Sequence, residues 1–192
     1  TAFVVLLALS TLTSAFKISL PLPGSGSTMS VSYTVDLASL LLMGPNPTMW
    51  LAAASAWSQC TFRMKERNPP HRTLFSMASL VVTVYLAGWA YHALGGNPES
   101  LLLPAPLIGA ATTYYLSNTV LVAIAAALSS GQPIAGLWRG SFLSSAPSYF
   151  AGAGVASLAA ALVERSGYWL VSLAVAPLYL TYRAYKIYQD RI

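Results

Sequence analysis

The chain of 192 residues is too apolar for a soluble globular domain, since 56% of its residues are hydrophobic and only 8% are charged. A soluble domain carries about 25% charged residues, because its surface faces water. The composition therefore excludes a soluble enzyme, a disordered tail and, with Cys60 as the single cysteine, a disulfide scaffold. The remaining class is an all-α, polytopic integral membrane bundle of about six to seven transmembrane segments.

The apolar segments begin with a stretch at 1–16 that is short for a membrane crossing. A Pro/Gly/Ser-rich loop follows at 17–30 and predicts a bend rather than a continuous helix. We predict one short or broken segment near 31–43, which ends at Gly44-Pro45, where one helix stops and the next can start. Five further segments are predicted at 48–62, 73–94, 107–128, 145–163 and 168–185.

The distribution of Lys and Arg predicts the orientation of these segments, since cytoplasmic loops are enriched in both. The loop at 63–72 holds four of the ten basic residues and is therefore predicted to be cytoplasmic. Counting crossings from this loop places the 95–106 loop outside and the basic, tyrosine-rich stretch at 181–192 inside. The net charge of +5 thus indicates membrane orientation and not nucleic-acid binding.

Asp36 is the residue most indicative of a function, because a carboxylate at membrane depth is costly and usually functional. At helical spacing Ser32 shares its face, and Tyr33 lies close by. One interpretation is a ligand-binding or proton site in the bundle interior. The other is a helix-end carboxylate that neighbouring hydroxyls and loop amides satisfy. The sequence leaves both interpretations open.

Further polar residues extend this speculative ligand-binding set. Thr28 lies in the hydroxyl-rich loop, and Gln59, Tyr115 and Asn118 lie within predicted spans. Interhelical hydrogen bonds, worth about 1 kcal/mol each, explain such residues without any ligand. A plain structural role for these side chains is therefore the alternative to a binding site.

The sequence offers no catalytic or metal-binding arrangement. The two histidines, His71 and His92, lie on opposite sides of the 73–94 segment and cannot share a metal ion. Neither a serine–histidine–carboxylate triad nor a pair of acids can be assembled from the remaining residues. We therefore expect no enzyme activity, no metal and no cofactor in these 192 residues.

Small residues recur at every fourth position of the 145–163 segment, at Ser148, Gly152, Ala156 and Ala160. Such a smooth face lets the backbones of two helices approach closely, which is how helices associate in lipid. The first expectation is tight packing within the chain. The second is a contact with another copy in a homodimer, or with a larger membrane complex.

Several stretches together resemble the N-terminal membrane sensor regions of bacterial signalling proteins: residues 17–63, the SMAS of the 73–94 segment, SAPSYFAGAG, and APLYLTYRAYKIYQDRI. In that family a multi-helix module precedes a cytoplasmic HD-GYP phosphodiesterase or GGDEF cyclase domain that acts on cyclic di-GMP. Neither the HD and GYP motifs nor GGDEF occurs in this sequence. The resemblance therefore implies a non-catalytic sensory or anchoring module of the bacterial cytoplasmic (inner) membrane, with its output domain elsewhere.

More distantly, the loop, the short helix and Gly44-Pro45 resemble the substrate-binding subunits of energy-coupling-factor transporters. That resemblance implies a small-molecule-binding transporter subunit, and an accessory structural subunit of a large membrane complex is a further alternative. The expected partners are the lipid bilayer, an unidentified small-molecule ligand, and a second copy or a larger complex. Residues 1–192 are predicted to form a single transmembrane domain, as a fragment or N-terminal module of a longer chain.

Overall fold

The computed structural model describes residues 2–15, 17–19, 28–30, 32–61, 69–97 and 102–167. These ranges form an all-α bundle with one pair of short antiparallel strands, in which Lys17 pairs with Ser30. The elements in chain order are α1 (Ala2–Ala15), β1 (Lys17–Ser19), β2 (Thr28–Ser30), α2 (Ser32–Met43), α3 (Pro45–Thr61), α4 (Pro70–Ala93), α5 (Pro104–Ser130), α6 (Ile134–Ser141) and α7 (Ala146–Ser166). The predicted fold class is confirmed.

Glycine and proline set the helix boundaries. Gly44 has a φ of +78° between α2 and α3, a left-handed conformation that glycine adopts without strain. Its backbone N–H donates to the Leu40 carbonyl at 2.9 Å and so closes the end of α2. Because proline is tolerated in a first turn, α3 starts at Pro45, three residues earlier than the predicted start at 48.

Three helical stretches have the length and apolarity to cross a membrane: Pro70–Ala93, Pro104–Ser130 and Ile134–Arg165. The third is interrupted after α6 by a 3-10 turn at Leu143–Ser145. α1 and α2 are apolar but shorter, so the predicted short segment near 31–43 is confirmed as a twelve-residue helix. The predicted segment at 168–185 lies outside the described residues.

The core consists mainly of small and aliphatic side chains from α2, α4, α5 and α7, with three buried tyrosines among them. Leu37, Val84, Ala110 and Ala156 are fully buried there and belong to one continuous cluster. Small side chains let helix backbones approach closely, so van der Waals contacts and interhelical hydrogen bonds can hold the helices together.

The outer surface of the bundle also carries large apolar side chains. Trp50, Trp89 and Leu128 are 75%, 66% and 82% exposed. Soluble monomers rarely expose extended apolar surface, whereas lipid chains solvate such side chains without cost. The surface of the described helices therefore fits a membrane environment.

Candidate functional site: a buried carboxylate shared by three helices

Asp36 lies within α2, and its side chain is fully buried. The Ser10 hydroxyl of α1 donates to Asp36 Oδ1 at 2.9 Å, and the Tyr114 hydroxyl of α5 donates to Oδ2 at 3.3 Å. Within the described ranges these neutral hydroxyls are its partners, and no cation pairs with it. One carboxylate therefore joins three helices inside an apolar bundle.

The structure corrects part of one sequence-based interpretation of Asp36. Asp36 is the fifth residue of the twelve-residue α2, so it is not a helix-end carboxylate held by loop amides. The expected neighbouring hydroxyls are present, but they come from other helices. On the same helix face, Ser32 and Ser39 are also buried. Ser39 Oγ has no hydrogen-bond partner among the described residues.

α1 turns a hydroxyl-rich face toward the bundle. Ser10, Thr13 and Ser14 are buried, whereas Val4 and Leu12 on the other side are more than half exposed. The three hydroxyl residues lie three and four positions apart and therefore share one helix face. A helix that is polar inside and apolar outside fits a bundle whose interior holds a polar group and whose exterior faces lipid.

Gln59 of α3 extends these polar contacts toward the N-terminal end of α2. Its Nε2 donates to Ser32 Oγ at 3.0 Å and is 3.4 Å from Ser55 Oγ. Ser58, on the same helix, donates its hydroxyl to the Thr11 carbonyl of α1 at 2.9 Å. We call this set of side chains the polar seam: Ser10, Ser32, Asp36, Ser58 and Gln59.

Four tyrosines from α2, α5 and α7 pack against one another and form a tyrosine cluster, and one of them, Tyr114, bonds to the carboxylate. The ring centroid of Tyr33 lies 4.7 Å from that of Tyr114 and 4.6 Å from that of Tyr149. The Tyr115 ring lies 5.2 Å from the Tyr149 ring. The Tyr33 hydroxyl donates to the Tyr149 carbonyl at 2.9 Å, and Asn118 Nδ2 donates to the Tyr149 hydroxyl at 3.0 Å.

The predicted ligand-binding residues fall into two neighbouring groups. Ser32 and Gln59 lie with Asp36 in the polar seam. Tyr33 lies between the groups, because its ring packs against Tyr114, whose hydroxyl reaches the carboxylate. Asp36 itself faces the bundle interior, where its Oδ2 accepts the hydrogen bond from Tyr114 of α5.

The remaining predicted residues are placed differently. Tyr115 belongs to the tyrosine cluster, Asn118 bonds to Tyr149 of that cluster, and neither bonds to Asp36. The Tyr115 hydroxyl instead donates to the Phe142 carbonyl at 3.1 Å. Thr28 lies in β2, and its side chain is outside the described part of the chain. The predicted set is therefore not one continuous site.

Sequence reasoning did not select Ser10, Tyr114 or Tyr149 as site residues. The sequence does contain a signal for Ser10. Hydroxyl residues recur at helical spacing in this otherwise apolar helix, at Ser10, Thr13 and Ser14. For Tyr114 no such signal exists. It precedes Tyr115 directly, and only tertiary packing decides which of the two side chains reaches Asp36.

The small-residue face of α7 packs inside the bundle. A methyl group added at Gly152 would lie 2.9 Å from Tyr33 Cε1 and 3.0 Å from Thr34 Oγ1. The α7 backbone at Gly152 therefore packs closely against these two side chains of α2. Tight packing within the chain is the first of the two expectations from the sequence. A contact with another copy in a homodimer stays a prediction. The residues of this face are Ser148, which is half-buried, and Gly152, Ala156 and Ala160, which are buried.

The residues with metal-binding side chains are scattered. No group of three or more His, Cys, Asp or Glu that could hold a metal occurs in the described ranges. His71 lies at the start of α4, and His92 lies at its end, with Nδ1 3.1 Å from the Gly96 carbonyl oxygen. Cys60 is half-buried near the end of α3.

The apolar bundle and its buried carboxylate define a helical membrane domain with a polar group in its interior. The family model MASE9 matches residues 1–187, and the chain belongs to this family. MASE domains are membrane-associated sensor domains, which are multi-helix membrane sensor regions. The chain is therefore a membrane-associated sensor domain, as the resemblance implies. Comparison with curated proteins and with solved structures gave no match.

Proposed function

We propose that these residues form the sensory and anchoring module of a signalling protein in the bacterial cytoplasmic membrane. Membership in the MASE9 family supports the sensory role. The resemblance to regions that precede HD-GYP or GGDEF domains supports an output domain that acts on cyclic di-GMP. The module itself is non-catalytic, and its task is to convert an event in the membrane into a change in that output domain.

The observation that carries this proposal is the fully buried Asp36 carboxylate, held by hydroxyls from two other helices. Burying a carboxylate without a cation is costly, and a well-packed apolar side chain often gives equal or greater stability. Stability alone therefore does not explain why an aspartate occupies position 36. Because α1, α2 and α5 meet at this one group, an event at the carboxylate changes how three helices pack.

The orientation completes the proposal. The basic residues at 63–72 and at 181–192 support a multi-pass arrangement with both stretches in the cytoplasm. In this arrangement the predicted segment at 168–185 connects the bundle to the cytoplasmic side, where an output domain acts. A rearrangement around Asp36 reaches that domain through α7, which packs against α2 at Gly152.

Asp36→Asn tests the proposal, because the amide keeps the shape of the carboxylate and some of its hydrogen bonding but removes the charge. In the parent signalling protein we expect a several-fold change in the cellular cyclic di-GMP level. Expression, and the melting temperature measured in choline chloride buffer, should be nearly unchanged. Ser157→Ala is the matched control, since Ser157 is a buried serine of α7 that bonds to Gly154 in its own helix.

Two results would contradict a functional role for Asp36. If output and melting temperature fall together in Asp36→Asn, the carboxylate serves the scaffold. If neither the cyclic di-GMP level nor the melting temperature changes, Asp36 has no part in the signal. The Ser157→Ala variant should match the unmodified protein in both measurements, which would show that changing a buried polar side chain elsewhere in the bundle is not in itself sufficient.

A further inference from the structure

We propose that Asp36 and Ser39 ligate a small alkali-metal cation of the size of Na⁺ inside the bundle. The cation site rests on the proposed function only in that it names the stimulus to which the proposed sensor responds. It stands on two separate observations: a buried carboxylate with neutral partners, and a buried hydroxyl with no partner one helical turn away.

The carboxylate has unused capacity as a ligand. Each oxygen of an ionised carboxylate can accept about two hydrogen bonds. Oδ1 of Asp36 takes one from Ser10, and Oδ2 takes one from Tyr114. Both donors are neutral, and the described part of the chain supplies no cation to the carboxylate. A bound cation would supply the missing charge and use the free lone pairs.

Ser39 supplies the independent observation. Its side chain is fully buried, and Oγ has no hydrogen-bond partner within the described ranges. Buried hydroxyls without a partner are rare, because nearly all buried polar atoms bond to protein or to an ordered group. Ser39 follows Asp36 by three residues and shares its helix face. Carboxylate and hydroxyl oxygens are the hard ligands that hard cations prefer.

A proton or a water molecule in place of the cation would account for only one of two observations, the buried carboxylate with neutral partners or the unpartnered Ser39 hydroxyl. A proton would neutralise Asp36 but would leave the Ser39 hydroxyl unpaired, and a water molecule would pair with Ser39 but bring no charge. A single carboxylate suits one positive charge better than two. Within the described ranges the titratable side chain that contacts this carboxylate is Tyr114, and it brings no positive charge.

The polar seam supplies further side-chain oxygens near this position. Ser32 lies one turn before Asp36 on α2 and accepts a hydrogen bond from Gln59. Gln59 is half-buried near the end of α3, so it lies between the surface and the interior. Oxygens of such side chains can replace the water ligands of a small ion one after another.

The melting temperature of the purified 192-residue chain in detergent tests this inference at fixed pH and ionic strength. We expect it to rise by several degrees and to saturate when NaCl replaces choline chloride, because a ligand that binds only the folded state stabilises it. Asp36→Asn and Ser39→Ala should lose most of this rise. Ser157→Ala should keep all of it.

Several results would overturn the cation site. One is the same melting temperature in Na⁺, Li⁺, K⁺ and choline, and another is a full Na⁺ response in Ser39→Ala. A response to pH with none to metal cations would indicate a proton-only group and would also refute the inference. Should the variants fail to fold, saturable binding of radioactive Na⁺ to the unmodified protein decides, and its absence overturns the site.

The outcomes separate this inference from the proposed function. If Asp36→Asn changes cyclic di-GMP output while Na⁺ has no effect on the protein, the cation site is refuted and the sensory role stands. If Na⁺ binds with saturation but output is unaltered in Asp36→Asn, the cation site stands and the sensory role of Asp36 is refuted.

Discussion

Replacing Gly152 by alanine tests the contact between α7 and α2 with the smallest possible change. The added methyl group would lie 2.9 Å from Tyr33 Cε1, well inside the contact distance of about 3.5–4.0 Å between carbons. It would also lie 3.0 Å from Thr34 Oγ1. The Tyr33 ring is not free to move, because its hydroxyl donates to the Tyr149 carbonyl and its ring packs against Tyr114. The two helices must therefore separate locally.

Overpacking of this kind costs about 1–3 kcal/mol, which lowers the melting temperature of a chain this size by roughly 2–12 °C. We expect Gly152→Ala to fall in this range and Gly152→Leu to lose more. Gly154 is the matched control on the same helix, since nothing lies within 4 Å of a methyl group added there. Gly154→Ala should keep or raise stability, because alanine favours a helix over glycine by about 1 kcal/mol.

Thermal unfolding of the purified variants in one detergent, followed by circular dichroism at a helix wavelength, measures the difference. The expected order of melting temperatures places Gly152→Ala below the unmodified protein and Gly154→Ala at or above it. Equal melting temperatures for the two alanine variants would refute the reasoning that contact with α2 determines the small face of α7.

Two further predictions concern topology and the Asp36 contact. In a Cys60→Ala background, cysteines introduced at 66–70 should resist an impermeant thiol reagent in intact cells, and cysteines at 97–102 should react, because the basic 63–72 loop is predicted to be cytoplasmic. Labelling at 66–70 would contradict the predicted orientation. Tyr114→Phe removes the 3.3 Å hydrogen bond to Asp36 and should cost about 1–2 kcal/mol in chemical unfolding; an unchanged unfolding free energy would show that this hydroxyl contributes nothing.

The short helix α2 was predictable because its limits depend on local chemistry. Gly44-Pro45 stops one helix and starts the next, and the apolar run before it is too short for a full crossing. α6 was not predicted, since eight residues between Pro133 and a 3-10 turn are too few for apolar periodicity to stand out.

The partners of Asp36 could not be predicted, because they are distant in sequence. Ser10 lies 26 residues before it and Tyr114 lies 78 residues after it. Helical periodicity shows which residues share a face but not which faces meet. The cost of a carboxylate in an apolar segment is enough to single out Asp36. The sequence does not distinguish Tyr114 from its neighbour Tyr115, so the ligand-binding set predicted from sequence contains the wrong tyrosine for the contact with Asp36.

The central claim is that these residues are the sensory module of a larger signalling protein, and the intact mass of the native polypeptide tests it most directly. We predict a mass well above that of 192 residues, together with an HD-GYP or GGDEF domain in the sequence that follows Ile192. A native polypeptide that ends near Ile192 and purifies with other membrane chains would contradict the claim and favour an accessory subunit of a larger complex.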